Sequence, residues 1–292
     1  MDTELARTFL AVVAAGNFVS AAERLHVTQS TVSARIHSLE DMLGARLFVR
    51  NKAGTFLTPS GRRFEAHALV LVRTVERLRQ DVGVAEGFEY TLTIGARFGL
   101  WDRFLIHLLP KLRDLLPNIA IHAEMGFEPD LMQSLIDGRM DIGLMFTPQN
   151  RPGLRVERLF DELLVLVASD PDDRLFPDNG YIYVDWGPEF YAKHRASFPE
   201  FSGPAMTVGI GWLGIAQILN AGGSGYFPLR LVQPYLDAKQ LFIVEGSEEF
   251  SLPAYMVYNN AMEEHAITVA TQIIRDAALN PQSEPEYGSG NN

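Results

Sequence analysis

The sequence predicts an all-α N-terminal head, a long linker helix and a C-terminal α/β domain of two lobes. Three observations predict this order. Short amphipathic segments near the N-terminus end in a helix with an uncharged polar face. An uninterrupted helical pattern of about two dozen residues follows. Strands then alternate with helices over the rest of the chain, which is long enough for two lobes.

The segment from Thr28 to Leu43 has the pattern of an amphipathic helix. Apolar residues recur at steps of four, three and four, at Val32, Ile36, Leu39 and Leu43. At about 100° per residue, the opposite side and its flank are small or polar and carry no acidic group. Those positions are Gln29, Ser30, Ser33, Ala34 and His37. A face of this kind is able to approach the edges of nucleic-acid bases.

Capping signals predict a shorter helix just before this one. Ser20 and Glu23 have the S-x-x-E spacing of a capping box, which predicts a helix from Ala21 to about His26. Thr28 predicts the cap of the next helix. Two helices joined by so short a turn form a helix-turn-helix. A preceding amphipathic segment supplies a third helix through Leu5, Phe9 and Val12.

Two short strands are predicted after the helix-turn-helix. Arg46–Arg50 and Thr55–Leu57 have strand-like sequences, and the polar tip Asn51–Gly54 lies between them. This arrangement predicts a wing, so the head as a whole is expected to be a winged helix-turn-helix.

The head closely resembles the LysR-type transcriptional regulators over Leu5 to Arg63. The phrases TQSTVSARIHSLEDMLGARLF and LTPSGRRF occur in that family almost unchanged, and the opening MDTEL with Ser33–Ile36 faintly resembles its HdfR branch. The resemblance implies sequence-specific binding of double-stranded DNA through the second helix and the wing. The implied contact positions and their neighbours are Thr28, Gln29, Ser30, Thr31, Ser33, Ala34, Arg35, His37, Arg50 and Lys52.

One position departs from the family pattern. Many relatives have arginine where this chain has Ala34, and Arg35 lies about 100° around the helix. Arg35 is therefore placed better for a phosphate than for a base, whereas Ala34 is able to contact a thymine methyl group.

The charges are divided between the two ends of the chain. From Arg24 to Arg63 there are seven basic residues and two acidic ones, a balance of +5, whereas from Thr91 onward 14 basic residues face 26 acidic ones, a balance of −12. The net charge of −11 therefore conceals a basic head on an acidic body. Attraction to phosphate belongs to the head.

A long helix is predicted from Pro59, since Thr58 caps it and proline fixes its first turn. Its apolar residues form a heptad seam, at Phe64, Ala68, Leu71, Val75, Leu78 and Val82. We expect a second copy of the chain to cover this seam, and the resemblance likewise implies dimers or dimers of dimers through this helix. Packing of the seam on the chain's own body remains the alternative.

The C-terminal part alternates strands and helices after a break at Gly83–Glu89. The predicted strands are Tyr90–Gly95, Ile119–Met125, Asp141–Phe146, Glu162–Val167, Tyr181–Asp185, Met206–Ile210, Leu241–Val244 and Tyr255–Tyr258, and the predicted helices are Leu100–Leu116, Asp130–Asp137, Leu213–Asn220 and Glu263–Ala278. Phrases such as LIDGRMDIGLMF and NAGGSGYFP resemble the effector-binding domain of the same family. The resemblance implies a two-lobed, periplasmic-binding-protein-like fold with a small-molecule effector in its cleft.

The predicted domains follow from these boundaries. They are the winged head at 1–58, the linker helix at 59–88, the effector-binding domain at 89–280, with lobe I at about 89–161 and 262–280 and lobe II at about 162–261, and a polar, disordered tail at 281–292.

Ligands of parallel sheets bind beyond the carboxyl ends of the strands. The effector-contacting residues expected there are Ala96, Arg97, Phe98, Trp101, Thr147, Gly211 and Trp212. Many relatives have serine or threonine near Phe98 and Gly99 to hold a carboxylate. Either Arg97 therefore binds an anion, or the effector is not a simple acid. Ordinary packing of the lobes remains the alternative for both tryptophans.

No catalytic or metal site is expected. The seven histidines have no ligand spacing and cysteine is absent, which excludes thiolate zinc sites and disulfides. Gly209–Gly214 spells G-x-G-x-x-G, but Trp212 crowds it and no acidic residue lies near Leu229, so we expect a tight strand-to-helix turn rather than a cofactor site.

No apolar stretch reaches the length of a membrane span, and the polar N-terminus lacks a signal core. We therefore expect a cytoplasmic, nucleoid-associated transcription factor without enzymatic activity, cofactor or membrane partner. Two alternatives are a small-molecule carrier with a vestigial head and a nucleotide-dependent enzyme built on the glycine motif.

Overall fold

The computed structural model describes residues 2–51, 54–84, 86–171, 180–259 and 265–279, with the backbone alone at residues 79–81. The head and linker comprise α1 Thr3–Ala15, α2 Phe18–Arg24, α3 Gln29–Leu43, β1 Phe48–Asn51, β2 Gly54–Leu57 and α4 Pro59–Val82. In the described ranges, no helix combines the length and the apolar character that crossing a bilayer requires.

The second helix of the head begins earlier than the capping box predicts. The side chain of Asn17 accepts the N–H of Ser20 at 2.7 Å, so helix α2 starts at Phe18 and Ser20 lies inside it. The prediction of a start at Ala21 is wrong because Phe18 is buried in the head, and its burial extends the helix by a turn. The predicted cap of α3 is confirmed, since Thr28 accepts the N–H of Thr31 at 3.2 Å.

An aromatic cluster joins the wing and the linker helix to the head. β1 and β2 form an antiparallel hairpin in which Phe48 faces Leu57. The ring of Phe9 on α1 lies 5.0 Å from that of Phe48 and 4.9 Å from that of Phe64, centroid to centroid. The predicted wing is therefore confirmed in its strands, while Lys52 and Ala53 at its tip lie outside the described residues.

Part of the predicted heptad seam of α4 is used inside the protomer. Phe64 and Ala68 are buried in the same cluster as α1, together with Leu69 and Val72. The prediction that Phe64 and Ala68 face a second copy is wrong, because α1 lies directly along the first turns of α4 and covers them. Leu71 and Val75 are half-buried.

The C-terminal part contains sixteen helices and strands within the described ranges, apart from one 3₁₀ turn. They are β3 Tyr90–Ala96, α5 Phe98–Trp101, α6 Leu109–Leu115, β4 Ile119–Met125, α7 Glu128–Asp137, β5 Ile142–Met145, β6 Leu154–Ala168, β7 Ile182–Val184, α8 Pro188–Ser197, β8 Met206–Val208, α9 Gly211–Ala221, β9 Ser224–Pro228, α10 Leu229–Asp237, β10 Phe242–Ile243 and β11 Phe250–Asn259, followed by α11 His265–Leu279.

Two long strands pass through both lobes. The main sheet has the order β10-β6-β11-β5-β3-β4, and β9 pairs with β6. Pairing among β3, β4 and β5 is parallel, whereas β6 and β11 are antiparallel to their neighbours. Lobe I is built on β3, β4 and β5. Lobe II is built on β7–β10, where β7 and β8 form a small parallel sheet. The expectation of parallel pairing therefore holds for the first three strands and for β7 with β8.

The predicted helix Leu100–Leu116 is interrupted in the structure. α5 ends at Trp101, a 3₁₀ turn covers Leu105–Leu108, and α6 follows. The break lies at Arg103, whose φ of 61° is incompatible with a continuing right-handed helix. α8, β9 and α10 were not predicted, and the tail 281–292 lies outside the described residues.

Gly61 in the first turn of α4 is required by a backbone contact. A Cβ atom there would lie 2.2 Å from the carbonyl oxygen of Leu47, which itself accepts the N–H of Thr58 at 2.9 Å. The threonine hydroxyl also bonds Gly61 N–H and the Arg46 carbonyl. These bonds hold α4 against the strand that begins the wing.

We predict that Gly61→Ala lowers the free energy of unfolding by about 1 to 3 kcal/mol, because the clash is with backbone. Helix propensity alone predicts the opposite sign, a gain of about 1 kcal/mol. Urea denaturation of the full chain measures the difference. The exposed helical position Ala66 provides the control, where Ala66→Gly should cost about 1 kcal/mol. A stabilised Gly61→Ala protein would show that the contact is not close.

Candidate functional site

The exposed side of α3 is small and uncharged at its N-terminal end. Gln29, Ser30 and Ala34 are exposed and Ser33 is half-buried, while Val32, Ile36 and Leu39 are buried beneath them. The sequence predicted both faces of this helix, and the structure confirms them except at Leu43, which was placed on the buried face but is 42 % exposed at the last residue of α3. The result is a convex edge on which short side chains project without a carboxylate among them.

Several polar groups near this edge are already bonded within the head. The hydroxyl of Thr28 lies 2.8 Å from those of Ser30 and Thr31. Arg35 is ion-paired with Glu4 at 3.2 Å and donates to the Thr8 hydroxyl at 3.2 Å. The structure therefore places the Arg35 guanidinium against α1. His37 is exposed and lies 3.4 Å from Asp41.

Glu40 fastens the wing to α3. It is 7 % exposed, and its carboxylate accepts Leu47 N–H at 2.7 Å, Phe48 N–H at 3.3 Å and the Arg46 guanidinium at 2.7 Å. Burial raises the pKa of this carboxyl, but the hydrogen bonds from Leu47, Arg46 and Phe48 outweigh burial and hold the pKa below its ordinary value. The orientation of the wing relative to α3 thus depends on a buried anion.

Arg50 on β1 is a wing cation whose side chain the structure describes. Its guanidinium lies over the Phe18 ring, 3.6 Å from the centroid, and the side chain is exposed. This cation–π contact fixes the charge beside α2, on the exposed surface of the head. Lys52, the other predicted wing cation, is outside the described residues.

The far half of α4 carries uncovered apolar side chains. Val70 is 56 %, Leu78 62 % and Val82 82 % exposed. These residues follow each other at steps of eight and four and therefore share one side of the helix. Leu78 and Val82 belong to the predicted seam. Val70 does not, because the predicted seam begins with Phe64 and Ala68, which face the head rather than the exposed side.

A cavity of about 190 Å³ lies between the two lobes. We call it the cleft cavity. Its walls come from the carboxyl ends of β3 and β4, the start of α7, and the loops that follow β5, β7 and β8. The lining residues are Arg97, Phe98, Gly99, Met125, Gly126, Phe127, Asp130, Phe146, Trp186, Gly209, Ile210 and Gly211.

Three of the seven predicted effector residues line the cleft cavity, namely Arg97, Phe98 and Gly211. The other four do not. Ala96 is buried in the sheet, Trp101 donates to the Glu124 carbonyl at 2.6 Å, Thr147 lies near Gly187, and Trp212 is half exposed. Gly126 and Phe127 were missed, although they follow β4 and the rule for strand ends also applies to that strand.

Arg97 connects the two lobes. It is 7 % exposed, pairs with Glu128 at 3.0 Å and donates to the Asp185 carbonyl at 2.9 Å. Its guanidinium also lies 4.9 Å from the Phe127 ring centroid. Arg97 is thus not an exposed surface arginine, but its charge is not free for an incoming anion.

The G-x-G-x-x-G motif serves aromatic packing. A Cβ on Gly211 would lie 2.6 Å from Trp186, and one on Gly214 would lie 3.0 Å from Phe227. Trp186 itself is buried and donates to the Tyr226 carbonyl at 2.8 Å. The motif lies between β8 and α9, so the strand-to-helix turn expected from the sequence is present.

Family models match both parts of the chain. The model of the bacterial regulatory helix-turn-helix protein of the lysR family matches residues 3–62, and the LysR substrate binding domain model matches residues 85–177. Together they cover more than half of the sequence. The chain belongs to the LysR family. It is a DNA-binding transcriptional regulator with an effector-binding domain rather than an enzyme.

Known transcriptional regulators resemble this chain over more than nine-tenths of its length. HTH-type transcriptional regulator HdfR of Yersinia pestis strain Pestoides F is 28 % identical over 279 residues, which are 91 % of this chain and 94 % of that protein. LysG from Corynebacterium glutamicum, solved with bound effector Arg, has a TM-score of 0.58 at 18 % identity over 96 % and 98 % of the two chains. DarR of Vibrio fischeri, solved with DNA, has a TM-score of 0.55 at 21 % identity over 94 % and 99 %.

We predict that Glu40→Gln lowers the free energy of unfolding by about 1 to 3 kcal/mol near neutral pH, because hydrogen bonds from Leu47 and Arg46 lose their charged acceptor. The pKa of Glu40 is lowered by folding, so its contribution is complete well above the unfolded value of 4.5 and declines as the pH falls through the folded value. Urea denaturation of the full chain at about pH 7 and about pH 3.5 measures this.

The stability difference between the variant and native proteins should therefore be smaller at the lower pH. Glu23→Gln removes a carboxylate from an exposed position on α2 and should change nothing. A Glu40→Gln deficit that persists undiminished in acid would show that the charge of Glu40 does not fasten the wing.

Proposed function

We propose that this regulator binds an interrupted palindrome as a dimer or dimer of dimers, and that a small effector in the cleft cavity changes the spacing or tilt of the paired heads. The observation that carries the proposal is the exposed, uncharged edge of α3 on a basic head. Action at the nucleoid follows, because the target is chromosomal DNA. In this proposal residues 1–58 bind DNA, residues 59–88 form the linker helix that dimerises, and residues 89–280 bind the effector.

We assign base contacts to the exposed edge of α3. Gln29 and Ser30 offer hydrogen-bonding groups for base edges, Ser33 lies on the flank, and Ala34 supports apolar contact with a thymine methyl group. Arg50 is assigned to a phosphate or the minor groove, because the Phe18 ring holds its charge at the surface.

Other predicted contacts take supporting roles. Thr28 and Thr31 shape the start of α3 through their bonded hydroxyls, and Arg35 holds α3 to α1 through Glu4 and Thr8. His37 remains a candidate phosphate contact from the exposed side of the helix.

The dimer face is proposed on the exposed side of α4. Val70, Leu78 and Val82 form its apolar part, with Leu71 and Val75 at its edge. A helix of about 36 Å exposing this side alone would leave a long apolar strip in water, which a second α4 is able to cover.

The effector is proposed to act through α7, which lies between the cleft cavity and α4. Its first residue, Glu128, pairs with Arg97. At its other end, Arg73 of α4 donates to the Ile136 carbonyl at 3.4 Å, and Arg24 of α2 donates to Gln133 at 2.6 Å. LysG, a relative in fold, is described with an effector bound. A ligand that alters the cleft thus has a direct mechanical route to the linker helix.

The DNA-binding proposal predicts a salt dependence. Fragments selected from genomic DNA should be retained specifically by the full chain, and Arg50→Ala should reduce the slope of log affinity against log salt by about one for each protomer, because one phosphate contact is lost. Filter binding at several salt concentrations measures the slope.

Arg195→Ala is the matched control, since Arg195 is exposed on α8 of the acidic body. Its slope should equal that of the native protein, and both should sediment as dimers or tetramers. Failure to retain any fragment above competitor DNA would reject the proposed function. An unchanged slope for Arg50→Ala would reject only the placement of the wing.

A further inference from the structure

The cleft cavity has aromatic walls and a small volume. Phe98, Phe127, Phe146 and Trp186 contribute rings to its lining, and glycines at four further positions bring backbone close to the open space. Its volume of about 190 Å³ is below the roughly 300 to 1,000 Å³ of sites for drug-sized ligands. A flat molecule of one ring with a small polar substituent suits this space.

The cation at the cavity is already neutralised. Arg97 faces Glu128 at 3.0 Å and the Asp185 carbonyl at 2.9 Å, and both contacts are withdrawn from water. Asp130 also lines the cavity and adds a second carboxylate. Charges at the site therefore sum to about −1 when Arg97, Glu128 and Asp130 are counted. A carboxylate ligand would have to displace Glu128 or lie beside two like charges.

Both hydrogen-bond acceptors and hydrogen-bond donors remain at the cavity. The carboxylate of Asp130, which lines the cavity, supplies the acceptors. Behind the wall, Oε1 of Glu128 is buried without a hydrogen-bond donor among the described residues, so the environment of Arg97 is rich in acceptors. On the opposite wall, Ile210 and Gly211 begin α9, and no side chain caps that helix. Its first N–H groups are donors that suit a carbonyl oxygen. A carboxylate offers acceptors but no donor.

We propose that the cleft cavity binds a small, uncharged aromatic amide or a similar neutral molecule with both an N–H donor and a carbonyl acceptor, and that it discriminates against aromatic carboxylates. This inference rests on the proposed effector role of the cleft. Glu128 is the residue that sets the preference, because it cancels the charge of Arg97, and Asp130 at the cavity wall offers the acceptor for the N–H of the ligand. The aromatic ring of the ligand packs among the phenylalanines and Trp186, so the cavity selects flat molecules of one ring.

Benzamide and benzoate are the probes, because they are nearly equal in shape and differ in charge and in the N–H donor. Intrinsic tryptophan fluorescence of the full chain measures both affinities, since Trp186 lines the cavity. The native protein should bind benzamide at least tenfold more tightly than benzoate. Glu128→Gln should lower the benzoate dissociation constant about tenfold, because it removes the competing carboxylate from Arg97.

Glu200→Gln, an exposed position in lobe II, is the control and should keep the native ratio. Benzoate binding as tightly as benzamide in the native protein would overturn the ligand class while leaving the cleft as an effector site. An unaltered benzoate affinity in Glu128→Gln would overturn the role of Glu128. Absence of any response to either probe up to its solubility would reject the cleft as a site for a single-ring ligand, whereas the DNA retention assay would still report on the head.

Discussion

Helix α7 is in contact with the cleft at one end and with the linker helix α4 at the other. This pair of contacts connects the effector-binding domain to the linker. At its N-terminus, Glu128 pairs with Arg97 inside the cleft. At its C-terminus, Gly138 lies so close to Arg73 that a Cβ there would be 2.8 Å from the Arg73 Cα. Between the ends, Leu131 and Leu135 are buried in lobe I, so the helix moves with that lobe as a rigid body of about 15 Å. These contacts give the proposed action of a cleft ligand a path to α4.

Two arginines form hydrogen bonds between the lobes. Arg97 reaches from lobe I to the Asp185 carbonyl in lobe II. Arg230 on α10 of lobe II pairs with buried Glu162 and donates to the carbonyls of Asp102 at 2.6 Å and Gly99 at 2.8 Å. These carbonyls are free because α5 ends early, so the interrupted helix is part of the connection between lobes. The protein's own side chains therefore bridge the two lobes.

Local sequence pattern predicted most of the head, although not the start of α2, and little of the cleft. The faces of α3, the cap at Thr28 and the hairpin of the wing follow from periodicity and turn chemistry, which depend on neighbours in sequence. The burial of Phe64 and Ala68 depends on α1, more than fifty residues away, and the heptad spacing carries no information about which surface covers it. Likewise Trp186 and Phe127 enter one cavity only because the lobes meet, so spacing could not relate them.

Hydrogen exchange of the α4 amides in the full chain tests most directly whether α7 joins the cleft to the linker helix. Glu128→Gln, a change confined to the cleft, should accelerate exchange of the amides around Arg73, since release of the N-terminal end of α7 loosens its contact with α4. Glu200→Gln should leave those rates unchanged. Equal protection around Arg73 in the native protein and in Glu128→Gln would contradict the account.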